Sequence, residues 1–180
     1  MKKELFQEIE IPSGIEATID EGLLTIKGPQ GELKKRFNVA RLSFEKKGNK
    51  LIFGNKRSTK AEKKMMNSIF AHINNMIKGV QEKFEYTLKI CHSHFPFTVE
   101  FKGNQAIVKN FLGEKVPRSV RMPSGVDIKM NKEIITITSV NKELAGQASA
   151  NLEKVTRITG RDKRIFQDGI YITNKAGKEM

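Results

Sequence analysis

Two stretches of the 180-residue chain carry side chains that could do chemistry, and the first is Cys91-His92-Ser93-His94. A thiol and two imidazoles are metal-ligand types, and a cysteine beside a histidine could form a nucleophile–base pair. On a strand, alternate side chains share a face, so His92 and His94 are expected to converge while Cys91 points away. Zinc would need two more ligands, and His72, the remaining histidine, falls in a helical pattern in the other half of the chain. A nucleophile would need an orienting third group, which this spacing does not supply. The favoured reading is therefore a strand end running into the turn at Pro96, with Cys91 in the core and no metal or cofactor. A small cytosolic enzyme acting on RNA through Cys91 and His92 is the alternative.

The second stretch, Lys154 to Arg164, holds Lys154, Arg157, Arg161, Lys163 and Arg164 against the single acid Asp162, with Gly160 among them. Arginine presents a flat, bidentate fork to phosphate, and glycine permits close backbone approach. A comparable cluster, Asn55 to Lys64, also carries five basic residues and one acid, but it reads equally well as a solvated face. The chain as a whole has 33 Lys and Arg against 20 Asp and Glu, a net charge of +13. That excess points to a polyanion, because each phosphate neutralised releases condensed counterions. Residues 1–82 contribute 16 basic and 10 acidic residues, and residues 83–180 contribute 17 and 10. The charge is thus spread through the chain rather than held in a basic tail.

Other classes are disfavoured by what the sequence lacks. It has no apolar run of about 18 residues to span a membrane, and its first residues lack a signal-peptide stretch. One cysteine excludes an internal disulfide framework. Together with the absence of a glycosylation sequon, these features lead to the expectation of a cytosolic protein. No phosphate-binding loop, nucleophile elbow, His-Glu-x-x-His or dinucleotide fingerprint occurs.

The elements that must position the basic stretch are organised by a repeat. Gly31-Glu32 recurs as Gly113-Glu114, 82 residues on. Leu23 to Lys27 precedes the first copy and Gln105 to Lys109 the second; basic segments follow at Lys34 to Phe37 and at Arg118 to Arg121. Each half then carries a β-hairpin pattern, Leu42 to Phe53 turning at Lys47-Gly48-Asn49 and Val126 to Thr138 turning near Asn131-Lys132. Each hairpin leads into one amphipathic helix. Thr59-x-x-Glu62 is a capping box for the first. Met66, Ile69, Phe70, Ile73, Met76, Ile77 and Val80 form its apolar stripe, with Gly79 at its end. The second is expected to be capped by Asn141, to bury Leu144, Ala148, Leu152 and Val155, and to stop at Gly160. Gly146 inside it suggests a close contact with the sheet or a ligand. Period-two alternation marks strands at Ile15 to Asp20, Phe84 to Ile90 and Phe97 to Phe101. The expected fold class is α+β, two tandem similar modules from internal duplication, each a mostly antiparallel sheet packed against one helix. The modules are residues 1–82 and 83–180.

Asn141 to Glu153, followed by Arg157-x-x-Gly160-Arg161-Asp162-Lys163-Arg164-Ile165-Phe166-Gln167-Asp168-Gly169-Ile170-Tyr171, resembles protein six of the large ribosomal subunit in its archaeal and eukaryotic form. The resemblance spans essentially residues 1–175. It implies a duplicated α+β fold and a structural role in the large subunit that supports translation in the cytoplasm. The partners it implies are large-subunit rRNA and neighbouring ribosomal proteins, with the protein monomeric among them. It further implies that the second module is the main rRNA contact, near the sarcin–ricin region and the base of the factor-binding stalk. Matched by position, the RNA-facing residues are Lys142, Gln147, Asn151, Lys154, Arg157, Arg161, Lys163 and Arg164, with Lys109 and Lys115 as weaker candidates. Gln147 and Asn151, four apart, are neighbours on one helix face; they either offer paired hydrogen bonds to RNA or are simply solvated. Asp168-Gly169 reads as a turn with no RNA role.

Overall fold

The computed structural model describes residues 3–38 and 42–180, with Lys3 described by its backbone alone. Met1 and Lys2, part of the N-terminal stretch read above for a signal peptide, lie outside the described residues. The chain forms two compact units, Met1–Lys83 and Phe84–Met180.

The first unit runs β1 (Lys3–Glu10), β2 (Glu16–Asp20), β3 (Leu23–Gly28), β4 (Gly31–Arg36), β5 (Ser43–Lys47), β6 (Lys50–Ser58) and α1 (Lys60–Gln81). Two three-stranded antiparallel sheets result, in the orders β1-β6-β5 and β2-β3-β4. α1 packs on strands of both. Its stripe is buried at Met66, Ile69, Ile73, Met76, Ile77 and Val80, while Phe70 stays on the exposed side. The capping box forms: the Thr59 side chain accepts from the Ala61 amide and the Thr59 amide donates to Glu62 at 2.8 Å. The helix does not stop at Gly79 but continues to Gln81, with Gly79 buried. Packing does require a glycine at Gly28, where a Cβ would lie 2.9 Å from Val80 atoms. β3 therefore meets the last turn of α1 without a side chain between them, and the adjacent Gln30 amide donates to the Val80 carbonyl.

The second unit repeats the plan as β7 (Phe84–Cys91), β8 (Thr98–Lys102), β9 (Gln105–Lys109), β10 (Arg118–Arg121), β11 (Asp127–Asn131), β12 (Ile134–Ser139) and α2 (Lys142–Val155), then adds β13 (Gly169–Lys175) and β14 (Lys178–Glu179). Asn141 caps α2 by accepting from the Glu143 amide, and it stands 82 residues after the cap Thr59. Phe37 donates to the Gly22 carbonyl and Met122 to that of Asn104. The offset thus grows from 82 at Gly22 and Asn104 to 85 at Phe37 and Met122. The three extra residues lie in the turn around Gly113. In the first unit Gly31 opens β4 directly, whereas Gly113 ends a 3-10 turn, Phe111–Gly113.

The added strand was not expected from the sequence. β13 pairs antiparallel with β7, giving a five-stranded sheet in the order β11-β12-β7-β13-β14. The Thr173 to Met180 tail therefore supplies part of β13 and all of β14. α2 packs on β7, β10, β12 and β13 over a core that includes Leu88, Ile135, Ile137, Ala148, Leu152 and Ile170. Gly146 faces that sheet, where a Cβ would stand an ordinary 3.6 Å from the Tyr86 hydroxyl.

Candidate nucleic-acid interface

α2 ends at Val155, five residues before Gly160, which has φ +71° in the loop beyond it. The basic stretch is therefore only partly helical. Lys154 lies in the last turn, and residues 157–168 form a loop between α2 and β13.

That loop is fastened at three places by residues remote from it in sequence or buried at its base. At its neck, the Ile170 amide donates to buried Thr156 Oγ1 at 3.0 Å, joining its two ends. At its start, Arg118 Nη1 donates to the carbonyls of Val155 and Arg157, both at 3.0 Å. The same guanidinium pairs with Glu114 and lies 4.5 Å from the Phe111 ring centroid. At its end, Asp168 is almost wholly buried, at 1 % exposure. Its carboxylate accepts from the amides of Ser93 (2.7 Å) and His94 (3.0 Å) and from His94 Nδ1 (2.7 Å). Burial pushes the Asp168 carboxyl up. The hydrogen bonds from His94 and Ser93 outweigh that and hold it well below the usual carboxylate range. Asp168 is thus an anchor rather than only a turn residue.

This arrangement corrects the reading of Cys91 to His94. β7 ends at Cys91, so His92 and His94 lie in a loop and do not share a strand face. His94 stacks on Phe166 with centroids 4.7 Å apart, while His92 meets Phe97 edge-on. Cys91 is half-buried rather than a core residue. Ser93 Oγ and Asp168 both approach Nδ1 of His94, at 3.0 and 2.7 Å. A triad needs serine and carboxylate on opposite ring nitrogens, so this pairing cannot relay a proton between them.

The expected RNA-facing residues divide by what already holds them. Lys109 is paired with Glu100 at 2.6 Å, and Arg164 with Asp162 at 2.8 Å. Arg161 lies 4.9 Å from the Phe166 ring centroid, and Lys142 lies 5.6 Å from that of Phe84. Gln147 donates to Asn151 Oδ1 at 2.7 Å, and Asn151 Nδ2 donates to the Arg121 carbonyl at 3.1 Å. The two amides are neighbours on one face as their spacing requires, and Asn151 also ties α2 to β10. Lys115, Lys154, Arg157 and Lys163 are exposed and form no ion pair among the described residues. Lys154, Arg157 and Lys163 surround one depression of about 440 Å³ between α2, the loop and β13. Lys109 and Lys115 do not line it. Sequence reading missed Arg118 and Asp168 as organisers of the loop, and Tyr171, which lines the same depression.

The family model described as Ribosomal protein L6 matches residues 11–83 and again 95–169, once in each unit. The chain belongs to this family. It is 42% identical over 174 residues to the Large ribosomal subunit protein uL6 of Methanococcus vannielii, covering 97% of this chain and 96% of that one. To the Large ribosomal subunit protein uL6 of Methanobrevibacter smithii it is 41% identical over 169 residues, covering 94% and 95%. The double match agrees with the duplicated α+β fold, and the two relatives agree with the archaeal character of the sequence. L6 membership gives the chain a structural role in the large ribosomal subunit, among its rRNA and proteins.

Proposed function

We propose that residues 83–180 form the principal rRNA-binding module, that α2 and its exit loop are the contact surface, and that this surface lies near the sarcin–ricin region and the base of the factor-binding stalk. The protein acts there as a monomeric, non-catalytic cytoplasmic component. The observation that carries this reading is the clamped loop. Arg118, Thr156 and Asp168 hold its backbone, while Lys154, Arg157 and Lys163 project from it and from the helix end without intramolecular ion pairs among the described residues. A surface whose cations are already placed loses little conformational freedom on binding phosphate.

The test is the salt dependence of binding to a large-subunit rRNA fragment containing the sarcin–ricin region. Replacing Arg161, Lys163 and Arg164 together by Ala should flatten the slope by about two units, at roughly 0.7 to 0.9 for each phosphate no longer neutralised and allowing for one of the three that makes no contact. Unchanged affinity and slope overturn the assignment. A comparable loss from Lys60, Lys63 and Lys64 instead moves the contact to the first module.

A further inference from the structure

The depression beside the exit loop has a construction that phosphate binding alone does not require. Its floor is apolar, formed by Ile158, Ile170 and Phe166. One wall is the ring of Tyr171, which is 42% exposed although it sits on a sheet strand next to the core. That ring is held by its hydroxyl, which donates to the Gln167 carbonyl at 3.1 Å. It also lies close over Gly169, where a Cβ would stand 3.3 Å from ring atoms and press the ring outward by a few tenths of an ångström. Burial pushes the hydroxyl pKa above its ordinary value, so the phenol remains a neutral donor at physiological pH. Phe166 is less available, because His94 and Arg161 already lie over its ring. The rim carries Lys154, Arg157 and Lys163 against the single acid Glu153.

An exposed aromatic ring fixed in place, an apolar floor and a cationic rim are complementary to one nucleotide taken out of a stack. The base can lie against the ring and floor while its phosphates meet the rim. At about 440 Å³ the depression falls within the range of small-molecule sites, roughly 300–1,000 Å³. A paired helix cannot offer that base face, so the arrangement favours an unpaired residue over continuous duplex. An acidic peptide would satisfy the rim but leave the ring and floor unused. We propose that this depression receives a single unstacked base of the bound RNA, with Tyr171 as the stacking platform. The proposal rests on the reading of the exit loop as an RNA contact.

The experiment uses the full-length protein and two RNA hairpins that differ only by one bulged 2-aminopurine in the stem. The wild type should bind the bulged hairpin more tightly than the fully paired one, by a factor between about 5 and 150, the range spanned by one base–aromatic stack. It should also quench the 2-aminopurine fluorescence on binding. Tyr171→Phe should retain the preference and the quenching. Tyr171→Leu, which keeps apolar bulk without a ring, should lose both while binding the paired hairpin as before. Equal affinity for the two hairpins with unchanged fluorescence, in a protein whose binding still falls on Ala replacement of Arg161, Lys163 and Arg164, overturns the base pocket and leaves the RNA surface standing. Failure to bind either hairpin overturns the surface and the pocket together.

Discussion

The Ile170 amide donates to the Thr156 hydroxyl across the neck of the exit loop, 14 residues apart in the chain and buried in the second unit. Thr156 immediately follows α2 and Ile170 lies at the start of β13, so one hydrogen bond fixes where the basic loop leaves the core and where it returns. Thr156→Val preserves the shape and removes the acceptor, leaving a buried amide unsatisfied. The expected cost is about 1–3 kcal/mol, measured by urea unfolding. Proteolysis within residues 157–168 should accelerate by more than that at a control site in α1. If stability changes while loop proteolysis does not, the neck is not what holds the loop.

Asp168 should leave a signature in the pH dependence of stability. Its folded-state carboxyl lies below the ordinary carboxylate value, so the unfolded chain binds a proton more readily. The stabilisation is present above the unfolded value of about 3.9 and is lost as pH falls toward the depressed folded value. Asp168→Asn keeps an acceptor oxygen but has no charge to titrate. The wild type should be more stable than this variant at pH 6, by about 1–3 kcal/mol, and the gap should narrow from pH 5 to pH 3. A gap constant across that range would mean that the interaction with His94 and Ser93 carries no charge-dependent part.

The ion pairs within the unit predict an order among single cation replacements. Lys163 has no ion pair among the described residues, whereas Lys109 is engaged by Glu100. Lys163→Ala should therefore flatten the salt slope of rRNA binding by roughly 0.7 to 0.9. Lys109→Ala should change it by less than half as much. The reverse order would place the RNA on the β8–β9 side of the unit instead of at the loop.

The two helix caps test the duplication energetically. Thr59 and Asn141 both accept backbone amides at the starts of their helices. Thr59→Ala and Asn141→Ala should each cost about 0.5–2 kcal/mol, read from denaturant unfolding of the full chain. Thr59→Ala also disturbs the reciprocal arrangement with Glu62, which Asn141 lacks, and should be the costlier of the two.

The sequence by itself determined what depends on neighbours a few residues apart. The caps at Thr59 and Asn141, the stripe from Met66 to Val80 and both hairpin turns follow from turn, cap and periodicity rules acting within about four residues. The repeat and the basic stretch were equally legible, because each is a pattern along the chain. Tertiary structure decided which of those basic residues stand apart and what holds them. β13 was not read from the sequence, and its pairing with β7 joins Gly169 to Cys91 across most of the unit. That pairing brings Asp168 to His94, 74 residues away, and turns a sequence that reads as a catalytic or metal-binding decoy into an anchor. Arg118 likewise stands in the sequence only as the start of a basic segment, yet its guanidinium is committed to the carbonyls of Val155 and Arg157. The physical reason is common to both. Periodicity records which face of an element is apolar, but whether a charge meets solvent or a buried partner depends on which distant strand the fold sets beside it.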